Sequence, residues 1–193
     1  MKFRTILLFG APGSGKGTQG KVLGELPGFF HCSCGEVFRS LKMGSPLGKV
    51  FVEYSSKGQL VPDEPTIELW RQYIDSMQQV GRFDPVQDTL LLDGIPRNLA
   101  QARLMSETLD VGALIYLSCP DRERLVQRLQ RRALKENRLD DANLEVIRRR
   151  LENYETESRP VLDFYGEALL RRVEAVQTPL EVLRDVVGIL LSL

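Results

Sequence analysis

The chain is poor in the side chains that usually carry covalent or acid–base chemistry: among 193 residues it has one histidine, His31, and three cysteines, Cys32, Cys34 and Cys119. An odd number of cysteines without an export signal argues for reduced thiols and against a disulfide framework. His31, Cys32 and Cys34 are the one place where soft metal ligands crowd together. Residues 31 to 34 read as a strand end, however, where alternate side chains leave on opposite faces. No metal site is expected there, and His31 is read as structural. Net charge is also missing. Lys plus Arg and Asp plus Glu number 26 each, so no global field draws the chain to nucleic acid or to an anionic membrane, and any electrostatic function has to be local. Long apolar runs are absent too. The opening MKFRTILLFGAPG mimics a signal peptide, but its apolar centre, Ile6 to Phe9, is too short. VVGILLSL at 186–193 falls far below the roughly 20 residues that span a bilayer. The expectation is a soluble, cytoplasmic protein with no nucleic-acid or membrane partner.

What the chain does have is a core. It is 42% hydrophobic and of a length typical of one domain. Two apolar runs closed by glycine, TILLFG and TLLLDG, are too short for helices and read as strands buried on both faces of a parallel sheet. VGALIYLSC (111–119) is a third, and GFFHCS and RRVEAV (171–176) are weaker candidates. Helix-length segments fall at 16–25, 65–80, 99–109, 121–132, 142–158 and 180–191. Strand alternating with helix predicts an α/β doubly wound sheet. Two segments interrupt the alternation. Residues 33–61 hold short helical pieces broken by KMGSPLG and SKGQLVP, and RRALKENRLDD (131–141) is a charged insert between two helices.

The most informative stretch is LLFGAPGSGKGTQ (7–19). Gly10, Gly15 and Lys16 fit the phosphate-binding pattern Gly-x4-Gly-Lys-Ser/Thr, but Gly17 stands where a hydroxyl would hold Mg²⁺, and Thr18 arrives one residue late. The stretch follows a predicted strand and opens a predicted helix. There, glycine lets successive N–H groups converge on phosphate oxygens at the positive end of the helix dipole. The alternative is a glycine-rich turn with no ligand, which leaves Lys16 without a purpose. Asp93 ends an apolar strand at the carboxyl edge, where α/β proteins bind ligands. It could hold the water shell of Mg²⁺ or simply cap a helix. Arg128 and Arg132, four apart, share a helix face, whereas Arg148 to Arg150 point in different directions. By composition alone such a run only solvates a helix.

GAPGSGKGTQ, with Gly17 ahead of Thr18, closely resembles the P-loop of adenylate kinases and related nucleoside monophosphate kinases. Further segments resemble that family in the same order. HCSCGEVFRS, carrying Ser33, Cys34, Gly35, Glu36 and Arg39, is similar to its Ser-Thr-Gly-Asp segment. GQLVPDE (58–64) is similar to Gly-x-Leu-Val-x-Asp-Glu, and LLLDGIPRNLAQA to the Asp-Gly-Phe-Pro-Arg box. NRLDD and IRRRLENY resemble the lid end and the helix after it. The resemblance covers nearly the whole chain. It implies a single P-loop NTPase domain over 1–193 with a five-stranded parallel sheet, a monophosphate-binding segment at 33–61 and a short lid at 131–141.

The implied reaction is MgATP + AMP ⇌ MgADP + ADP, with Mg²⁺ held mainly through water and phosphates, no zinc, and the chain as a monomer. By resemblance, the backbone of Gly13, Ser14, Gly15, Lys16, Gly17 and Thr18 cradles the ATP phosphates, with Lys16 on the β and γ groups. Arg39, Arg97, Arg132, Arg138 and Arg150 match phosphate-binding positions, Arg128 packs on the ATP adenine, and Gln177 lies near that base. On the AMP side fall Cys34, Gln59, Leu60, Val61, Gly94, Ile95, Pro96 and Gln101, the last reading adenine. Five guanidiniums around one pocket repel one another unless an anion arrives, and their planar donors suit phosphate. Phosphoryl transfer needs positioning and electrostatics more than an acid or base, which accords with the scarcity of histidine and cysteine.

The chain departs from the family at Cys34, where Thr is usual, at Glu36, where Asp is usual, and at Ala133 and Asn137, where glycine is frequent. A thiol is a weak hydrogen-bond partner, so some leakage to CMP or UMP is expected. The alternatives are a UMP/CMP kinase, suggested by Asn98 after GIPR, a P-loop ATPase of motor or switch type, and a nucleotide-binding regulatory module without catalysis. Gln101 speaks against the first, and the lack of an acidic pair after an apolar strand against the second. Intact Lys16, Asp93 and Arg97 speak against the third.

Overall fold

The computed structural model describes residues 2–136, 138, 141 and 143–193. Five parallel strands, β1 (Phe3–Phe9), β2 (Phe29–Ser33), β3 (Thr89–Asp93), β4 (Leu109–Ser118) and β5 (Leu170–Glu174), form one sheet in the order β2-β3-β1-β4-β5. The reason β1 is central lies in its side chains: Thr5 to Phe9 are all buried, as only a strand covered on both faces allows. Its period of two divides the core. Leu7 and Phe9 pack on one face with Leu90, Leu92 and Leu114, while Ile6 and Leu8 pack on the other with Leu91, Ala113, Ile115 and Leu117. Each such buried side chain contributes about 2 kcal/mol.

Helices cover both faces. On the face of Ile6 and Leu8 lie α1 (Lys16–Leu23) and α9 (Pro179–Leu190), which bury Leu23, Val182 and Val186. The opposite face is covered by α4 (Asp63–Gln79), through Trp70 and Ile74, by α5 (Leu99–Met105), by α6 (Arg122–Glu136) and by α7 (Leu144–Asn153). Between β2 and α4 stand α2 (Cys34–Ser40) and α3 (Pro46–Ser56), the short helices expected within 33–61. Ser45 caps α3 by accepting from Gly48 N at 3.1 Å, with Pro46 in the first turn.

Several boundaries differ from the sequence expectation, each for a local reason. The helix expected from Pro65 starts two residues earlier, because proline lacks only an N–H that the first turn leaves unpaired anyway, and Asp63 and Glu64 suit the dipole. α5 stops at Met105, where Ser106 turns its hydroxyl onto Arg103 O at 2.7 Å, and β4 takes over at Leu109. α6 continues four residues past Arg132 through the helix-favouring Ala133, Leu134, Lys135 and Glu136. Half of the 131–141 insert is therefore helix. Asn137, Leu139, Asp140 and Ala142 lie outside the described residues. α7 begins at Leu144, capped by Asn143, whose Oδ1 accepts from Glu145 N at 2.8 Å. It opens into a π-helical turn at Tyr154–Ser158, followed by α8 (Val161–Tyr165), which the sequence did not suggest. Among the described residues no helix is long and apolar enough to cross a membrane.

His31 shows how tightly β2 seats on α1. A methyl at Gly20 would fall 2.2 Å from His31 Nε2, and one at Gly24 would fall 2.5 Å from His31 Cβ. The imidazole packs where two glycines leave room, and burial pushes its pKa down from the usual value. An imidazole can rotate away and a Cβ cannot. Gly24→Ala should therefore destabilise the chain by about 2 kcal/mol, within the usual range for overpacking, and Gly20→Ala by less. Urea unfolding of both variants measures the difference, and equal losses would contradict the packing described here.

Candidate functional site

The carboxyl ends of the strands meet at one edge. Ser33 pairs with Asp93, Leu8 with Asp93, and Phe9 with Tyr116, so the end of β1 and the loop after it lie between the two halves of the sheet. That loop rises over a cavity of about 590 Å³, within the range of small-molecule sites.

The loop's shape depends on glycine at its first position. Gly10 has φ 144°, and a Cβ there would lie 2.6 Å from Leu117 O and 2.7 Å from Ser14 Oγ. Gly15, at φ 103°, caps α1 without a side chain, and the first turn of α1 carries no acidic residue. The helix N-terminus thus faces the cavity with its backbone donors uncovered by protein carboxylates. Residues 13–18 all line the cavity, as this arrangement requires. Gly17, at the position of the missing hydroxyl, looks towards Asp93: a Cβ on it would stand 3.7 Å from Asp93 Oδ2. Asp93 is 6% exposed and lines the same cavity as the loop.

Lys16 turns back on its own loop. Its Nζ donates to Gly10 O at 2.7 Å and Ala11 O at 3.2 Å. Burial lowers its pKa to about 8, and Arg132, Arg97 and Arg150 add to the effect, while Asp93 opposes them. The arginines converge as well: Arg39, Arg97, Arg128, Arg132, Arg138 and Arg150 all line this cavity. Two of them meet on one carboxylate that the sequence analysis passed over. Asp141 has a side chain of 0% exposure; Arg132 donates to its Oδ2 through Nε at 2.8 Å and Nη2 at 2.5 Å, and Arg150 Nη1 donates to Oδ1. Arg138 Nε is bonded to Glu136 at 2.6 Å, and Arg97 Nε to Gly94 O at 2.7 Å.

Of the other expected residues, Gln59, Leu60, Val61, Gly94, Pro96 and Gln177 line the cavity. Gln177 donates through Nε2 to Asp185 Oδ2 at 2.7 Å and Glu174 O at 3.1 Å. Cys34, Ile95 and Gln101 are not among the lining residues and stand behind the wall, exposed by 2%, 2% and 1%. Cys34 is buried at the start of α2, and burial pushes its thiol up to about 11, outweighing the pull of Arg97 and Arg39. Gln101 has both amide ends engaged, its Oε1 by Arg97 N at 2.7 Å and its Nε2 by Asp63 at 2.8 Å. Asn98, the clue to a pyrimidine-specific relative, caps α5: its Oδ1 accepts from Gln101 N at 2.8 Å and its Nδ2 donates to Asp63. Sequence spacing could not reveal Asp63 or Asp141 as partners, because the bonds from Asp63 span 35 and 38 residues and Asp141 sits among charges that read as solvated. Among the described residues no three His, Cys, Asp or Glu side chains are grouped to hold a metal ion.

A family model described as adenylate kinase matches residues 8–169. The adenylate kinase of Phocaeicola vulgatus is 35% identical over 190 residues, covering 95% of this chain and 96% of its own length. That of Thermus thermophilus is 37% identical over 93% of this chain and 92% of its own length. The enzyme of Flavobacterium psychrophilum is 40% identical over 83% of each.

Lys16 gives the site a pH signature. Its pKa of about 8 lies below the ordinary 10.5, so between those values the unfolded chain binds more protons than the folded one. The charged lysine thus costs stability below about pH 8, and the cost fades as pH rises through the window to 10.5. A bound polyanion reverses the shift. Calorimetric titration of inorganic tripolyphosphate near pH 9, in buffers of different ionisation enthalpy, should show greater proton uptake by the wild-type chain than by Lys16→Met, a difference that vanishes at pH 6, because proton release by the ligand itself is common to both. Equal uptake by the variant would assign the proton elsewhere.

Proposed function

Since the chain belongs to the adenylate kinase family, we propose that the cavity described above is where it carries out its reaction, with two nucleotides held end to end. It is a nucleoside monophosphate kinase that transfers a phosphoryl group from ATP to AMP and yields two ADP. The observation that carries the proposal is the joining of two features in one cavity: a glycine loop at a bare helix N-terminus, and, among the described residues, seven arginines lining it.

On the donor side, the N–H groups of 13–18 hold the triphosphate, and Lys16 leaves the carbonyls of Gly10 and Ala11 for the β and γ phosphates. Arg128 and the backbone at Gln177 flank the donor base. On the acceptor side, Arg39 and Arg97 grip the monophosphate, and Gln59, Leu60, Val61, Gly94 and Pro96 wall the nucleoside. The acceptor phosphate oxygen attacks the γ-phosphorus, the bond from that phosphorus to the β–γ bridging oxygen breaks, and Arg132, Arg138 and Arg150 stabilise the charge in flight. Asp141 holds two of those guanidiniums in place beforehand, so little reorganisation is needed. Segments 33–61 and 131–141 close over the ligands and exclude water, which otherwise competes for the phosphoryl group.

The site's chemistry fits Mg²⁺: the Asp93 carboxylate faces the loop at Gly17 and lines the same cavity, and among the described residues no His, Cys, Asp or Glu group is set to hold a metal directly. Bound there with the phosphates, the ion neutralises and orients the donor chain. The reading takes the chain as a cytoplasmic monomer. Asn98, the residue that resembles UMP/CMP kinases, serves here as the cap of α5 and a partner of Asp63.

Incubation with ATP and each of AMP, dAMP, CMP, UMP and GMP tests the assignment: ADP should form fastest from AMP, and outright preference for CMP or UMP would overturn it. Lys16→Met and Arg97→Ala should each lower kcat by about a hundredfold while leaving the fold intact by circular dichroism. Arg150→Ala should cost far more turnover than Arg148→Ala, since Arg150 lines the cavity and Arg148 does not. Removing Mg²⁺ should abolish transfer, and a zinc-selective chelator should change nothing.

A further inference from the structure

Asp63, in the first turn of α4, has no part in the reading so far. Its Oδ1 accepts two hydrogen bonds, from Asn98 Nδ2 at 2.9 Å and from Gln101 Nε2 at 2.8 Å. Asn98 Oδ1 accepts from Gln101 N at 2.8 Å, and Gln101 Oε1 accepts from Arg97 N at 2.7 Å. The ring of bonds fixes which end of the Gln101 amide lies where. An ionised carboxylate only accepts and a backbone N–H only donates. Turning the amide over would set its oxygen against Asp63 and its NH₂ against the N–H of Arg97, leaving buried groups unpaired. In the bonded state each end keeps one valence, the second hydrogen of Nε2 and the second lone pair of Oε1.

We propose that Asp63 is a positioning residue that selects the acceptor base by fixing the polarity of the Gln101 amide. This rests on the reading of Gln101 as the residue that meets that base. With ribose and phosphate setting the pose of the nucleotide, a locked donor–acceptor pair matches one edge. That edge has an amino group beside an unprotonated ring nitrogen, as in adenine and cytosine. Hypoxanthine, guanine and uracil present a carbonyl beside a ring N–H, the reverse order, and an amide free to rotate would accept them too. In this structure Gln101 is 1% exposed and Arg97 is folded back onto Gly94 O. The base reaches the amide when the Arg97 guanidinium swings from that carbonyl to the acceptor phosphate. Asp63 then discriminates without touching the nucleotide, because a wrong base leaves buried polar groups unpaired.

The test is kcat/KM for AMP and for IMP, with ATP as donor, in the wild-type chain, Asp63→Ala, Asp63→Asn and Gln101→Ala. The AMP-to-IMP ratio should fall about tenfold in Asp63→Ala, mainly through a lower KM for IMP and with the KM for ATP unchanged. It should largely recover in Asp63→Asn, whose Oδ1 can accept both bonds. In the wild-type chain CMP should be a better acceptor than UMP. An unchanged ratio in folded Asp63→Ala, with a collapsed ratio in Gln101→Ala, overturns the positioning role alone. An unchanged ratio in Gln101→Ala overturns the base-contact reading beneath it. If Asp63→Ala does not fold, Asp63→Ser, which keeps a polar first turn for α4, carries the same expectation. UMP used above CMP counts against the proposal in every variant set.

Discussion

Positive charge gathered in a space with too little negative charge is the condition on which the rest of the site depends. Burial depresses the affinity of Lys16 for its proton, Arg132, Arg97 and Arg150 add to the effect, and Asp93 acts against it. The two buried carboxylates, Asp93 and Asp141, are what make the assembly tolerable to the fold. Asp141 accepts from two guanidiniums at once, so removing it would take a buried counter-charge from both, a larger penalty than the net value of the pairing itself. A chain that is neutral overall has concentrated its imbalance at one sheet edge, and an incoming polyanion relieves it.

The same charges explain the resting posture of the side chains. Lys16 donates to Gly10 and Ala11, Arg97 to Gly94, and Arg138 to Glu136. Each partner is a carbonyl or an exposed carboxylate within six residues along the chain. These bonds keep donors from being buried unpaired and are weak enough to be exchanged for phosphate oxygens.

What could be read from the sequence was what is encoded locally. The loop at 10–18 was legible because its glycines fix the backbone there, as the contact between Gly10 and Leu117 O shows. Three strands were legible because apolar runs such as LLL at 90–92 are too short for helices, whereas β2 and β5, with fewer apolar residues, were weaker candidates. Their order in space was not, since nothing in TILLF says that it sits between residues 89–93 and 109–118. The arginines could be named but not their partners, because Asp141 and Asp63 take their roles only when distant segments meet. Cys34 and Gln101 were assigned by likeness to positions facing a base, and the structure sets both behind the wall, where burial and internal bonds rather than spacing decide.

The strand order carries an implication for how such a chain can change over time. With β1 in the middle, residues 29–105 supply one flank of the cavity and the elements after β4 the other, with the loop at 10–18 between them. The flanks also meet directly, where Asn153 Nδ2 donates to Gly58 O at 2.8 Å and Arg149 Nη1 to Lys57 O at 3.2 Å, so the preferences of the two halves can drift separately only away from that seam. The shared loop, whose first glycine touches β4 and whose Gly17 faces β3, can vary in neither direction without disturbing both. Diversity should accumulate on the flanks and stay out of the hinge line between them.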